Sequence, residues 1–338
     1  TAGVRISSWS AISYSSVTVW NAHGLWLQGV IMTAVSNSSF PAESAFRYAA
    51  YLDVESTNTF MGSAMRNAAG TAVRLSNAAW NRLDLSTAVA SSASGYALEF
   101  ISSSSNTVSR GYLSNTDATP GSSVGLSYDT PSSNNLVELS TVSAGWTQIS
   151  VLGNSNRFEY VESVTLGGCW GIVLNGNSNT IYRSTVSVGY CGGGTSAALY
   201  GSSNTVTESS LIKDGDPSVT VGGSYNKVER STLTATSFGG YGALRFNGGD
   251  DATVVDSMIR TQGASPAYGA TFESGANRNT IARSTVACTN CTGLQTLDAS
   301  SNTIVDSYIQ GSTAALVAGS TGTTFGGSVL VATNTAGF

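Results

Sequence analysis

One frame recurs along the chain and limits what it can fold into. An Asn is followed by an apolar residue two positions on, a Ser at the fifth position and a second apolar residue at the seventh. The Asn slot falls at Asn58, Asn81, Asn106, Asn135, Asn156, Asn179, Asn204, Asn226, Asn279 and Asn302, with Ala252 and Thr323 filling it in two further units. Twelve units result, 21 to 29 residues apart. A repeat of this length cannot bury its own apolar side and must stack on its neighbours.

The frame also says which element is repeated. The second position is apolar in every unit, from Phe60 to Phe325, and positions five and seven keep the strand period of two. The step from two to seven breaks that period, so a corner is expected between two strands. No 3.6-residue apolar stripe survives the density of Ser and of 38 Gly, which excludes helical repeats. The expected fold is all-β: a right-handed parallel β-helix of about 12 coils over residues 51–338, its hand set by the crossover rule. Asn is expected to take the left-handed turn conformation and to bond the Asn of the next coil. Residues 1–50 hold Trp9, Trp20, Trp26 and the single histidine, His23, and are expected as an N-terminal cap.

Composition removes several functions. Charged residues make up 10% of the chain, the net charge is -5 and no Lys/Arg cluster occurs, so nucleic acid is not an expected partner. The most apolar early stretch, "GLWLQGVIMTAV", is interrupted by Gln28 and Gly29 and falls short of the ~18 residues of a membrane span. Membrane insertion is not expected. Thr1 is not an initiator Met, as in a processed or excised piece. One histidine excludes most Ser-His-Asp and His-ligated metal designs, and no cofactor or metal site is expected. Cys288 lies four coils beyond Cys191, too far for one zinc to join both pairs. The four cysteines are expected as buried small side chains, with Cys169 and Cys191 also placed to stack or to form a disulfide.

Most charges have a structural reading. The fourth position after the anchor runs Arg183, Glu208, Arg230, Asp256, Arg283, Asp306, alternating in sign from coil to coil, so these residues are expected to fix register. Function is sought instead in the segments of variable length before each Asn. An aromatic recurs there at Tyr96, Trp146, Trp170, Tyr241 and Tyr268, with Tyr190 nearby in "GYCGGGTS". Such a column offers sugar rings flat apolar faces, although it also suits packing beneath the loops. Strand alternation turns Glu99 and Arg245 outward on the same face, where Arg245 could grip a sugar carboxylate. Trp146, Trp170, Tyr190, Tyr241, Tyr268, Arg245 and Glu99 are the expected substrate-binding residues. Asp214 and Asp216 of "KDGDP" and Glu273 of "FESG" stand off the alternating column and are the expected catalytic acids, since glycoside hydrolysis needs two carboxyls. The aspartates suit turns equally well.

The coils "SNTIYRSTV", "SSNTVTESSL" and "NTIVDSYI" resemble those of the pectin-lyase-like β-helices, among them the tailspikes of bacteriophages. The resemblance implies a homotrimer on a virion tail that cleaves a bacterial capsule or O-antigen, by hydrolysis in the first instance. It covers the scaffold and brings no diagnostic catalytic motif; neither a head-binding nor a trimer-clamping domain is evident. Two alternatives stay open: a non-catalytic glycan-binding fibre or adhesin, and a monomeric calcium-dependent polysaccharide lyase, secreted or on a cell surface.

Overall fold

The computed structural model describes residues 2–333 apart from 55, 118, 120–122, 166, 192, 216, 238–239 and 264–266. It comprises two compact units, residues 1–168 and 169–338. Among the described residues each unit contributes seven parallel strands to each of three sheets. One coil serves as the pattern. After Asn81, Arg82–Asp84 lies in the second sheet, Thr87–Ala90 in the third and Tyr96–Ile101 in the first. One coil on, each pairs in register with its counterpart, as in Arg82 with Thr107, Thr87 with Tyr112 and Tyr96 with Val124. The chain is an all-β right-handed parallel β-solenoid.

The frame works as an inward code. Phe60, Leu83, Val108, Val137 and Phe158 at its second position are at most 2% exposed, as are Ile181, Val206, Val228, Val254, Ile281 and Ile304. Burying each such side chain contributes about 1.5–3 kcal/mol. The one apolar failure at the seventh position, Ser163, is also fully buried, and its hydroxyl donates to the buried Gln148 carbonyl. That bond offsets the desolvation of both groups.

Two polar columns run through the corners. Asn58, Asn81, Asn106 and Asn135 each donate a side-chain N–H to the Oδ1 of the next Asn at 3.0–3.1 Å, ending on Asn156. The same oxygens accept the backbone N–H of the preceding Asn at 2.9–3.0 Å. Asn179 and Asn204 repeat the pair in the second unit at 3.2 Å. A serine column parallels it: Ser184, Ser209, Ser231, Ser257 and Ser284 each give a backbone N–H to the next coil's Ser hydroxyl at 3.1–3.2 Å. These bonds satisfy corner donors that no sheet could pair.

The turn conformation expected of Asn belongs to its neighbour. Thr57, Trp80, Ser105, Ser155, Ser178 and Ser203, each one residue before the anchor, have φ of 57–59°, while the anchor Asn residues do not. The left-handed residue turns the chain so that the following Asn can aim its amide along the stack. The fourth-position residues are left-handed too, from Leu85 at 49° to Asp306 at 50°. They form the second corner, and in the second unit the alternating charges meet there. Arg183 and Glu208 are 2.6 Å apart, Glu208 and Arg230 3.3 Å, Asp256 and Arg283 2.8 Å.

Residues 2–53 form coils of the same kind, with Ala2–Arg5, His23–Gln28 and Ala50–Asp53 in the first sheet. Thr33 fills the anchor slot, giving its N–H to Asn58 Oδ1 at 2.9 Å, and Ser38 fills the serine slot, giving its N–H to Ser63 Oγ at 3.3 Å. The cysteines, expected chiefly as buried small side chains, form two disulfides, Cys169–Cys191 between adjacent coils and Cys288–Cys291 within one loop. Each pair of Cα atoms is 5.4 Å apart, inside bonding range, the first because slots of adjacent coils stack and the second because only two residues intervene.

Candidate functional site

The outward face of the first sheet brings three of the expected residues together, Tyr241, Arg245 and Glu273. In the second unit the register aligns Thr220, Arg245 and Thr271 across successive strands, and Asn247 with Glu273. Arg245 is outward by alternation, between the buried Leu244 and Phe246. Its Nε donates to Glu273 Oε1, and the two side chains are 22% and 13% exposed. Its guanidinium carbon lies 3.8 Å from the centre of the Tyr241 ring. Partial desolvation strengthens both contacts and holds the fork in one orientation.

Two further rings complete this face. Trp170 opens the strand Trp170–Leu174, and Tyr200 follows Ala197–Leu199, so they start from opposite edges of the sheet. They meet edge to face with centroids 6.5 Å apart, across two neighbouring strands. Gly222 makes room: a Cβ there would stand 2.8 Å from Tyr200 Cδ1. Burial pushes the Tyr200 hydroxyl above its ordinary pKa, and the nearby Arg245 charge pulls the other way. The phenol therefore serves as a neutral hydrogen-bonding group. Tyr200 was missed in the sequence because it closes a strand, whereas the aromatic column was sought where strands begin.

In each unit the aromatics of that column stand at or just before the start of first-sheet strands. Tyr96, Trp170 and Tyr268 are the first residues of first-sheet strands, Trp146 precedes one by a single residue, and Tyr241 by three. Tyr96 and Trp146 belong to the first unit, Trp170, Tyr241 and Tyr268 to the second. Glu99 faces outward in the first unit, paired with Arg74 at 2.7 Å. Tyr190 is 65% exposed, and its ring passes Gly215 at 3.5 Å from where a Cβ would stand.

The expected acids are not brought together. Asp214 ends the third-sheet strand Ser210–Asp214 and accepts the Thr236 hydroxyl at 2.6 Å. Glu273 ends the first-sheet strand Tyr268–Glu273, two coils further on. A strand of that length spans roughly 16 Å, well beyond the ~6.5–9.5 Å of an inverting pair. Asp216 lies outside the described residues. Asp250 and Asp251, also off the alternating column, are both paired to Arg278. The arrangement can thus hold a sugar ring against Trp170, Tyr200 and Tyr241 and present Arg245 and Glu273 to its polar edge.

Comparison with known proteins places the fold. Residues 170–336 match the family model described as a right handed beta helix region. No curated protein matches the chain in sequence. Among solved structures, a tailspike protein of E. coli bacteriophage HK620 in complex with a pentasaccharide is similar, with a TM-score of 0.55 and 10% identity over 95% of this chain and 67% of that one. The A-module of the Azotobacter vinelandii mannuronan C-5 epimerase AlgE4 also has a TM-score of 0.55, with 12% identity over 96% of this chain and 91% of that one. At such identities the likeness concerns the fold. The sheets, the two polar columns and these matches agree on one fold, the right-handed parallel β-helix.

Proposed function

We propose that this protein acts on a bacterial surface polysaccharide, a capsule or O-antigen, as a tailspike-type depolymerase that hydrolyses its glycan. The observation that supports the reading is the partly buried Arg245–Glu273 pair flanked by Tyr241, Tyr200 and Trp170 on one open sheet face. Aromatic faces bind sugar rings, and a held guanidinium fork selects a carboxylate or a pair of hydroxyls. In this reading Glu273 is the catalytic acid and Arg245 positions the substrate, with Tyr190 and Asp214 contacting the glycan at the sheet's far edge. Two solved β-helices that share the fold point the same way by their printed names, one a tailspike with a bound pentasaccharide and one a mannuronan epimerase. Assembly as a homotrimer on a virion tail follows from the same resemblance, and exposed Trp9, Trp20, Phe46 and Trp80 would suit subunit contacts.

The distance from Asp214 to Glu273 favours a second reading, a fibre that binds the glycan without cutting it. Incubation with a panel of capsule and lipopolysaccharide glycans, followed by reducing-end assay, decides between them. New reducing ends that vanish in Glu273→Gln support the depolymerase. Binding without products supports the fibre. Light scattering in solution tests the trimer.

A further inference from the structure

The first unit carries a second, denser cluster on its own first-sheet face. Register aligns Arg5 with Trp26, Trp26 with Tyr51, Tyr51 with Arg74 and Arg74 with Glu99. His23, 4% exposed, stacks on both Tyr48 and Tyr51 with ring centroids at 5.2 and 5.1 Å, the two tyrosine rings themselves 5.1 Å apart, and Trp26 stacks on Tyr51 at 6.2 Å. Arg74 lies over the Tyr48 ring at 4.7 Å and Arg5 over Trp26 at 5.1 Å.

Three properties of this cluster point to a ligand. Trp26 Nε1 is buried and has no hydrogen-bond partner among the described residues, a donor that folding has left unused. The Tyr48 backbone N–H donates to His23 Nδ1 at 3.2 Å, which leaves the neutral ring with its proton on Nε2, again a donor. Arg5, Arg47 and Arg74 act on the stack, against Glu99 and Asp53, so the patch is positive in a chain of net charge -5. Flat rings, a spare indole donor and an excess of guanidinium select an anion carried on an apolar-faced ring.

We infer that this cluster binds a carboxylated sugar, with Trp26 and Tyr51 against the ring and Arg74 on the carboxylate; the choice of a saccharide rests on the glycan-binding reading above. Calorimetric titration of the full chain with an oligoglucuronate tetrasaccharide, its carboxyl-reduced neutral counterpart and inorganic phosphate tests it. The acid should bind at least tenfold more tightly than the reduced form. Arg74→Met should weaken it at least tenfold, and Arg283→Met, at an exposed corner pair outside both faces, should leave it unchanged. Glu99→Gln frees Arg74 from its partner and should tighten binding severalfold, an arm that stands even where Arg74→Met fails to fold. Equal affinity for the reduced sugar, displacement by phosphate, or dependence on Arg283 instead of Arg74 would overturn the inference. Absence of cleavage with uronate binding intact would count against the depolymerase alone.

Discussion

Asn106 Oδ1 accepts two hydrogen bonds from Asn81, one from its side-chain amide at 3.0 Å and one from its backbone N–H at 2.9 Å. One oxygen thus satisfies both donors of the coil beneath, in a position 1% exposed. Asn106→Ala should strand both and cost on the order of 2–4 kcal/mol. Asn106→Asp keeps the acceptor but loses the donor to Asn135, and should be destabilising as well. Urea unfolding monitored by circular dichroism measures the difference; a loss under about 0.5 kcal/mol for the alanine variant would show that the column is incidental.

The two disulfides should differ in weight. Cys169–Cys191 closes a separation of 22 residues and Cys288–Cys291 only 3. On chain-entropy grounds the first should contribute about 3 kcal/mol and the second about half that. Unfolding of Cys169→Ser/Cys191→Ser against Cys288→Ser/Cys291→Ser compares them. The reverse order would reject the entropic account.

Acid should weaken the first unit before it protonates most carboxylates. Burial first, and then the Arg47 charge, push the His23 pKa down to about 4. Between the ordinary value of ~6.5 and about 4 the unfolded chain binds a proton that the native one refuses. The stabilisation is therefore complete above pH 6.5 and falls as the pH drops toward 4, by on the order of 1–2 kcal/mol once solvent screening is allowed for. The groups around His23 are Trp26, Tyr48, Tyr51 and Arg47, none of which changes charge in that window. His23→Gln should flatten the urea midpoint over that range, and an unchanged slope would assign the acid sensitivity elsewhere.

A second acid transition belongs to the corner charges. Arg183, and then Arg230, hold the Glu208 carboxyl below its usual range, as Arg283 does Asp256 and Arg110 does Asp84. Their folded pKa values are depressed, so this stability is present above the ordinary carboxylate range and is lost as pH falls through the lowered values. The Glu208 and Asp256 pairs are exposed, so 1 M salt should shrink the Glu208→Gln effect at pH 7. An effect insensitive to salt would mean that packing, not charge, holds that corner.

At the proposed glycan face, Tyr241→Ala should act through Arg245. Loss of the ring removes about 0.5–2 kcal/mol of cation–π attraction and lets the fork wander. Glycan affinity should fall about three- to thirtyfold by titration, while Tyr241→Phe should keep it. Equal loss in both variants would point to the hydroxyl instead.

Scaffold and site were unequally legible in the sequence. Asn, Ser and the inward apolar residues are dictated by contacts repeated every coil, so spacing alone exposes them. The frame also ran through residues 1–50, but with Ser10 and Thr33 in the anchor slot it escaped notice, since a hydroxyl or a backbone N–H can stand in at the edge of the amide column. Outward residues obey no such repetition. Arg245 and Glu273 could be placed on a face by alternation, yet their union depends on register between strands 28 residues apart in sequence. Asp214 and Glu273 could be singled out as acids off the alternating column, whereas the distance between them depends on which sheet each strand joins and which end of it each acid closes. The Tyr48–His23–Tyr51 stack was hidden for the same reason, its rings coming from two coils.

The left-handed corners have an evolutionary corollary. Trp80, Leu85, Arg110 and Glu208 all occupy such positions, so the bend tolerates almost any side chain and asks only for the backbone angle. Inside, most coils are tied to the next by the same two polar links; outside, coils meet through charge pairs and ring contacts that differ from place to place. Recognition can thus be rewritten one rung at a time, with each exchange leaving the spine of the molecule as it was.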